Sequence, residues 1–326
     1  LAAARVAATN GVVAYDELKR VRQRLPANHN SHLAEIIESA GNYAASLGVT
    51  SVQDVHSDDL FDVLNELVAR QKLKVRVYDC TGLADRPNAA KAGEQAATGT
   101  PMIRHGCRKG SADGDVGEVD ELAREIAVAD RAGLQVMIHA IGARSNANIL
   151  TAFERVAAMN GKRDRRFRVE HAARMSPADI VRFQLSEIIP SMQPYLFYSG
   201  AAAGDEYRRI LDAGTSVAFG SDASMISLDP LLGIYAAVNS GPRSISVYEA
   251  VKAYTIGSAY AEFQEREKGT IETGKLADLI ILSDDIFTID RSRIKDARVI
   301  LTILDGKVVY DNRSSIMALR KEITEL

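Results

Sequence analysis

One mostly apolar run of the chain ends on a histidine: Leu134-Gln135-Val136-Met137-Ile138-His139. This pattern is typical of a buried β-strand whose last residue reaches the edge of a sheet. Two further β-prone runs have the same form, Phe167-Arg168-Val169-Glu170-His171 and Thr215-Ser216-Val217-Ala218-Phe219, the second with Asp222 three residues later. Each run therefore ends at or near a residue that can bind a metal ion.

The spacing of four residues indicates how these strands are arranged. Lys109, His139 and His171 follow one another at intervals of 30 and 32 residues, and Asp222 comes 51 residues after His171. The first two intervals match one strand-helix unit of an α/β barrel, and the third is close to two units. We therefore predict an α/β fold, a (β/α)8 TIM-type barrel, in which the four residues converge on the face formed by the carboxyl ends of the strands.

The rest of the chain agrees with a barrel followed by a smaller module. A strand over 49–55 and a helix over about 58–71 precede another strand at 75–78, and His56 would line the active face or lie in a loop. After Lys268 the pattern changes to short strands separated by Gly274 and Asp305-Gly306; one of them is Gly269-Thr270-Ile271. We assign residues 1–263 to the barrel, with its first strand absent, and 264–326 to the C-terminal part of a β-sandwich module.

Composition narrows the class of protein. The 326 residues are 46% hydrophobic and 25% charged, which predicts a soluble globular protein. A net charge of −3 gives no reason to expect nucleic acid or an anionic membrane as a partner. No apolar run approaches the roughly 20 residues of a membrane helix. Cys80 and Cys107 are too few for a disulfide framework and fit a reducing cytoplasm. Self-association into a homo-oligomer stays open.

Three of the four converging residues are metal ligands by chemistry. Zinc favours imidazole and carboxylate donors, which His139, His171 and Asp222 supply. A metal ion lowers the pKa of bound water to about 7, and the Asp222 carboxylate would be a suitable general base. Taken singly, a histidine near a core is more often only hydrogen-bonded, and an aspartate after a strand can cap a helix. Their shared position at strand ends favours metal binding.

The other candidates are less specific. Lys109 cannot bind a metal as an ammonium ion, and taken alone it is best explained as an exposed structural lysine. Glu170 should point away from the site if its strand alternates. Arg144 would reach an anionic substrate group or lie on the surface. Gln193, at a strand end on the same face, is a candidate for substrate contact.

As an ordered set, these segments resemble the amidohydrolase superfamily, in particular amidohydrolase family 3, which includes N-substituted formamide deformylase-like proteins. The segments that carry the resemblance include Arg108-Lys109-Gly110-Ser111-Ala112-Asp113-Gly114, His139-Ala140-Ile141-Gly142, Arg168-Val169-Glu170-His171-Ala172, Ser191-Met192-Gln193-Pro194, Gly220-Ser221-Asp222-Ala223 and Lys268-Gly269-Thr270-Ile271-Glu272-Thr273-Gly274-Lys275.

The resemblance implies a barrel that holds one or two divalent ions such as Zn²⁺. It implies that Lys109 is carboxylated and binds metal, that His139 and His171 are metal ligands, and that Asp222 is the catalytic acid and base. The implied reaction is the hydrolysis of an amide, formamide or related C–N bond of a small molecule by metal-activated hydroxide.

The sequence departs from the family pattern in several places. It contains no His-x-His pair, begins without Met, lacks the N-terminal half of the β-sandwich, is short after Gly114, and has Ala143 where an acid is common. Either the chain is a truncated, inactive barrel that binds a ligand or partner, or stretches of the natural protein are missing near 1–10, 114–116 or 198–205. We expect the second. A third hypothesis is an enzyme with one ion, in which Lys109 stays a plain amine.

Overall fold

A curled sheet of parallel strands forms the centre of the molecule. The computed structural model describes residues 30–55, 60–83, 95–112, 119–198, 207–241 and 244–314. The strands of this sheet are β1 (Ser51–Val55), β2 (Arg76–Gly82), β3 (Thr98–Gly99), β4 (Ile103–Ser111), β5 (Gln135–Ile141), β6 (Arg168–Ala173), β7 (Ile189–Met192) and β8 (Ala218–Phe219). Seven of them are parallel neighbours in the order β1-β2-β4-β5-β6-β7-β8, and β3 pairs antiparallel with β4.

Helices alternate with these strands along the chain. They are α1 (Asn30–Ser46), α2 (Phe61–Ala69), α3 (Val119–Arg131), α4 (Ala143–Asn160), α5 (Pro177–Leu185), α6 (Pro194–Tyr198), α7 (Tyr207–Asp212), α8 (Pro230–Val238), α9 (Val247–Lys252) and α10 (Ser258–Ala261). A π-helical segment, Ala253–Gly257, joins α9 to α10, and a 3₁₀ helix spans Arg291–Asp296. The predicted α/β fold class is confirmed.

Local sequence explains where several helices begin. Ser176 accepts a hydrogen bond from the Asp179 amide and precedes Pro177, so it caps α5. Asp229 caps α8 in the same way, again followed by a proline. Ser246 and Glu249 form a capping box at the start of α9. These caps satisfy amide groups that the first helical turn leaves without intrahelical partners.

The sheet curls far enough to enclose an interior. The Arg168 guanidinium on β6 donates to the Gln53 side chain on β1, although three strands separate them in the sheet. Alternate residues of each strand therefore face the interior, and the others face the helices. On β5, Val136 and Ile138 pack in the layer under the helices, whereas Met137 packs inside with Tyr78, Cys80 and Cys107. His139 has the same parity as Met137.

Among the described residues, no strand lies between β1 and β8, which are the two edge strands of the sheet as described. The start of α10 bridges the two edge strands: Gln53 donates to the Ser258 carbonyl (2.8 Å), and the Ser258 hydroxyl donates to the Phe219 carbonyl (3.0 Å). Apart from Tyr198, the positions where we expect missing stretches lie outside the described residues, as does His56. No helix within the described ranges has the length and apolar character needed to cross a membrane.

A second, antiparallel sheet follows the barrel. Its strands are β9 (Leu279–Leu282), β10 (Val299–Leu304) and β11 (Lys307–Asp311), in the order β11-β10-β9. The predicted strand at Gly269–Ile271 is wrong: Gly269 has a φ of +96°, and Ile271 is 87% exposed and unpaired. An apolar, β-branched residue at this position is solvent-exposed, which a local pattern does not reveal. The domain boundary at 263/264 stays a prediction.

Candidate metal centre

Parallel pairing brings the predicted site residues to one edge of the sheet. Lys109, His139 and His171 are each the third residue from the end of their strand. Gln193 comes directly after β7, and Asp222 comes three residues after β8. The rings of His139 and His171 lie edge to face, with centroids 4.4 Å apart and an interplanar angle of 72°. The two imidazoles are therefore near neighbours, as the spacing of the sequence predicts.

A distortion at the end of β6 explains how His171 reaches the site. In β6, Arg168 and Glu170 face the barrel interior, so regular alternation would turn His171 toward the helices. Instead, His171 and Ala172 have φ values of +70° and +46°, and the register with β5 shifts at this point. This local bulge turns His171 so that its ring meets that of His139.

The same distortion overturns the expectation for Glu170. Its carboxylate does not point away from the site but into the interior, where it accepts hydrogen bonds from the Arg168 guanidinium (2.9 Å) and the Ser191 hydroxyl (2.8 Å). Arg168 also donates to Ser191 (3.1 Å). A buried, paired network of these three side chains thus lies on the inner side of the strands that carry the site.

Asn146 fixes the strand ends that carry the two histidines, a role that sequence reasoning missed. The fully buried Asn146 side chain donates to the carbonyls of Gly142 (2.8 Å) and Ala173 (3.0 Å), the residues that follow and end β5 and β6. The Gly142 amide donates to the same Ala173 carbonyl (2.9 Å). Nothing in the sequence pattern distinguishes this asparagine from any other residue of an early helical turn.

The environment of His171 favours the neutral imidazole. Burial and the neighbouring His139 lower the pKa of the His171 ring, against the opposing effects of its Gln193 hydrogen bond and of the Asp222 and Glu170 carboxylates. Gln193 Oε1 lies 2.7 Å from His171 Nδ1. Because metal ions bind the neutral ring, the direction of this shift favours metal binding near neutral pH.

Lys109 is affected in the same direction. Burial lowers the pKa of its ammonium group, although Glu170 and Asp222 act against this change. The amine donates to the neighbouring Gly110 carbonyl (3.2 Å). Lys109 is therefore not the fully exposed lysine that the sequence alone favours, and a larger fraction of its amine is uncharged than in an exposed lysine.

Asp222 and Arg144 are the exposed members of the predicted set. Asp222 has a φ of +59°, and its carbonyl accepts from the Met225 amide (2.9 Å), which forms a tight turn after β8. Its charge raises the pKa of both Lys109 and His171, which indicates that it lies on their face of the barrel. Arg144 lies exposed in the first turn of α4. Its role in substrate binding stays a prediction.

The donor chemistry fits a divalent ion such as zinc. The candidate site contains two adjacent imidazoles, and the neutral form of one of them is favoured. It also contains the Lys109 amine, whose pKa is lowered, and the Asp222 carboxylate. Within the described ranges, no group of three or more His, Cys, Asp or Glu side chains is close enough to hold an ion. A complete set of ligands therefore requires Lys109 or a residue outside those ranges.

Comparison with known proteins identifies the family. A sequence profile of the amidohydrolase family, amidohydrolase family 3, matches residues 3–310. The chain belongs to this family. It is 35% identical to the protein LONG AFTER FAR-RED 3 of Arabidopsis thaliana over 219 residues, which cover 60% of this chain and 37% of that protein. It is 25% identical to N-substituted formamide deformylase of Arthrobacter pascens over 292 residues, which cover 81% and 53%.

Solved structures share the fold of this chain. An uncharacterized metal-dependent hydrolase from Pyrococcus horikoshii superimposes with a TM-score of 0.75 at 20% identity, over 88% of this chain and 68% of that one. The matched part of the chain spans 37% of the length of the Arabidopsis protein and 53% of the length of the deformylase. The likeness to the archaeal hydrolase shows that the two chains share this fold.

Proposed function

We propose that this protein is a metal-dependent amidohydrolase that hydrolyses the C–N bond of an amide, formamide or related small molecule. One observation carries the proposal: the His139 and His171 rings lie 4.4 Å apart at neighbouring strand ends of an amidohydrolase-family chain. Two imidazoles that converge at the C-terminal face of such a barrel are the donors that a catalytic zinc site uses.

His139, His171 and Lys109 would hold the ion, with Asp222 beside them. The uncharged Lys109 amine can add CO2 and lose a proton, which gives a carbamate with two oxygen donors. Its lowered pKa favours this step because only the uncharged amine reacts. One or two zinc ions would bind. A bound ion would lower the pKa of a water molecule to about 7 and so supply the nucleophile.

Asp222 would move the proton of the reaction. Its carboxylate takes a proton from the attacking water and returns it to the leaving nitrogen, so that the C–N bond breaks to an acid and an amine. Asp222 is exposed and lies three residues after β8, which supports this role. We propose that Arg144 and Gln193 contact a small-molecule substrate, and that the protein acts in the cytoplasm, in keeping with two free cysteines.

Metal content and hydrolysis measured together test the proposal. Wild-type protein should contain zinc and hydrolyse members of a panel of formamides and N-substituted amides. His139→Ala and His171→Ala should each lose the zinc and the activity together. Ser186→Ala is a control that should keep both the zinc and the activity. Ser186 lies between the end of α5 and the start of β7, at the opposite end of the strands from the site. Wild-type protein that binds no divalent ion at any pH, and hydrolyses nothing in the panel, would contradict the proposal.

The second candidate is an inactive barrel that binds a ligand or partner. It is favoured by the absence of a His-x-His pair from the sequence and of a three-residue His, Cys, Asp or Glu cluster from the described ranges. This candidate predicts that wild-type protein binds amides without hydrolysing them.

For an active enzyme, the number of bound ions separates a single-ion site, in which Lys109 is an amine, from a two-ion site, in which Lys109 is a carbamate.

A further inference from the structure

We propose that Gln193 is a positioning residue that holds His171 in the tautomer with the proton on Nδ1, so that Nε2 is the nitrogen presented to the metal. This inference rests on the proposed metal site but concerns a property of the metal-free protein. It differs from a role in substrate contact, because it assigns to Gln193 an action through another side chain.

The hydrogen bonds of the Gln193 amide define its orientation. Its Nε2 donates to the Ser191 carbonyl (3.3 Å), and its Oε1 lies 2.7 Å from His171 Nδ1. If the amide were turned over, its oxygen would face the Ser191 carbonyl oxygen, and two acceptors would meet. The amide oxygen therefore faces the ring, and an amide oxygen can only accept.

That orientation decides which ring nitrogen carries the proton. Because Gln193 Oε1 accepts, His171 Nδ1 must donate and hold the hydrogen. In the neutral ring the other nitrogen, Nε2, then has the free lone pair that a metal needs. A partner on the second nitrogen is the usual means by which proteins orient a metal-binding histidine.

Burial and backbone structure keep this amide in place. Gln193 and His171 are 4% and 6% exposed, so water does not compete readily for either group. Gln193 follows β7 directly and precedes Pro194, the first residue of α6. Ser191, whose carbonyl holds the amide, is itself bonded to Glu170 and Arg168 through its hydroxyl. The partner of His171 is thus anchored to a buried network.

Two measurements test the proposal with three variants. ¹⁵N spectra of the histidine rings in metal-free protein, above the pKa of His171, should show a protonated Nδ1 and an unprotonated Nε2. Gln193→Leu removes the acceptor and should populate both tautomers and weaken zinc binding about 10- to 100-fold. Gln193→Glu keeps an oxygen acceptor toward Nδ1 but replaces the donor to the Ser191 carbonyl with a second oxygen, so it should keep the wild-type tautomer while losing the anchor to Ser191. Gln264→Leu, a buried glutamine that donates to the Phe263 carbonyl, is the matched control and should leave both unchanged.

The outcomes separate this inference from the proposed function. A wild-type ring with its proton on Nε2 would overturn the inference, as would Gln193→Leu protein that keeps both the tautomer and the zinc affinity. If Gln193→Leu does not fold, the wild-type and Gln193→Glu spectra still decide. If wild-type protein binds no zinc, the proposed function fails, while the ring spectra of the metal-free protein still test Gln193.

Discussion

At the scale of single residues, burial disfavours the charged forms of two basic groups in the candidate site. The pKa of the Lys109 ammonium and that of the His171 imidazole are both lowered, and burial is the largest cause in each case. Carboxylates nearby, Glu170 and Asp222, only partly offset this effect. The uncharged forms of an amine and an imidazole are the ones that react with CO2 and bind metal ions, so burial favours the forms of Lys109 and His171 that the proposed metal site requires.

Lys109 provides the first prediction at this scale. Protein loaded with zinc in the presence of ¹³C-labelled bicarbonate should show one new carbamate signal in its ¹³C spectrum. Lys109→Met removes the amine, so this signal should disappear and zinc binding should weaken. A spectrum without a carbamate signal, together with one bound ion per chain, would support the single-ion site instead.

Asp222 provides the second. Asp222→Asn keeps the shape of the side chain but removes the base, so kcat should fall by about 10²- to 10⁴-fold while zinc stays bound to the two histidines and Lys109. Steady-state kinetics and metal analysis of the same preparation measure both. Asp212→Asn, an exposed residue of the α7 pair with Arg208, is the control and should leave kcat unchanged. Full activity of Asp222→Asn would remove Asp222 from the mechanism.

At the scale of elements, period-two patterns predict strands well and bulges poorly. Alternation in β5 places His139 on the same inner face as Met137. The same rule fails one strand later, because positive φ values at His171 and Ala172 change the direction of the chain. Such values are set by tertiary contacts, among them the Asn146 and Gly142 bonds to the end of β6. The placement of His139 and His171 at neighbouring strand ends was therefore predictable, whereas the direction of the His171 side chain and the burial of Glu170 were not.

The start of α9 allows a prediction about pH. Glu249 accepts from the Ser246 amide (2.8 Å) and from Arg208 on α7 (2.5 Å), and Arg208 lowers the pKa of Glu249 to about 2. Because the folded-state pKa lies below the ordinary value, the stabilisation is present at neutral pH. It is lost as pH falls from about 4.5 toward 2. Glu249→Gln should cost about 1 kcal/mol of unfolding free energy at pH 7, since the pair is partly exposed.

Urea denaturation at several pH values measures this effect. The gap between wild type and Glu249→Gln should narrow as the pH falls from about 4.5 toward 2, because in that range the unfolded wild-type chain takes up a proton at Glu249 before the folded chain does. A gap that stays constant or widens toward low pH would show that the charge of Glu249 does not act as described.

At the scale of the whole molecule, buried polar contacts join the second sheet to the barrel. Arg76 on β2 donates twice to Asp278, at 2.6 and 2.8 Å, and these side chains are 4% and 5% exposed. The Thr302 hydroxyl of β10 donates to the Ala45 carbonyl of α1 (2.6 Å). The change of periodicity after Lys268 predicts the second sheet, but contacts between residues about 200 positions apart leave no local pattern.

The Arg76 pair gives a prediction for the stability of the whole chain. Arg76→Met leaves the Asp278 carboxylate buried without its partner and should reduce the free energy of unfolding by about 3–5 kcal/mol. Arg155→Met breaks the exposed pair with Asp120 and should cost less than about 1 kcal/mol. Urea denaturation compares the two variants. Equal, small effects would mean that the buried pair does not hold the second sheet to the barrel.

Anomalous diffraction at the zinc absorption edge most directly tests the proposed metal site between His139 and His171. Crystals of the full chain grown with zinc should give an anomalous peak between the His139 and His171 rings, about 2.0–2.1 Å from a nitrogen of each. An anomalous peak elsewhere on the molecule, with none between these two rings, would contradict the proposed metal site.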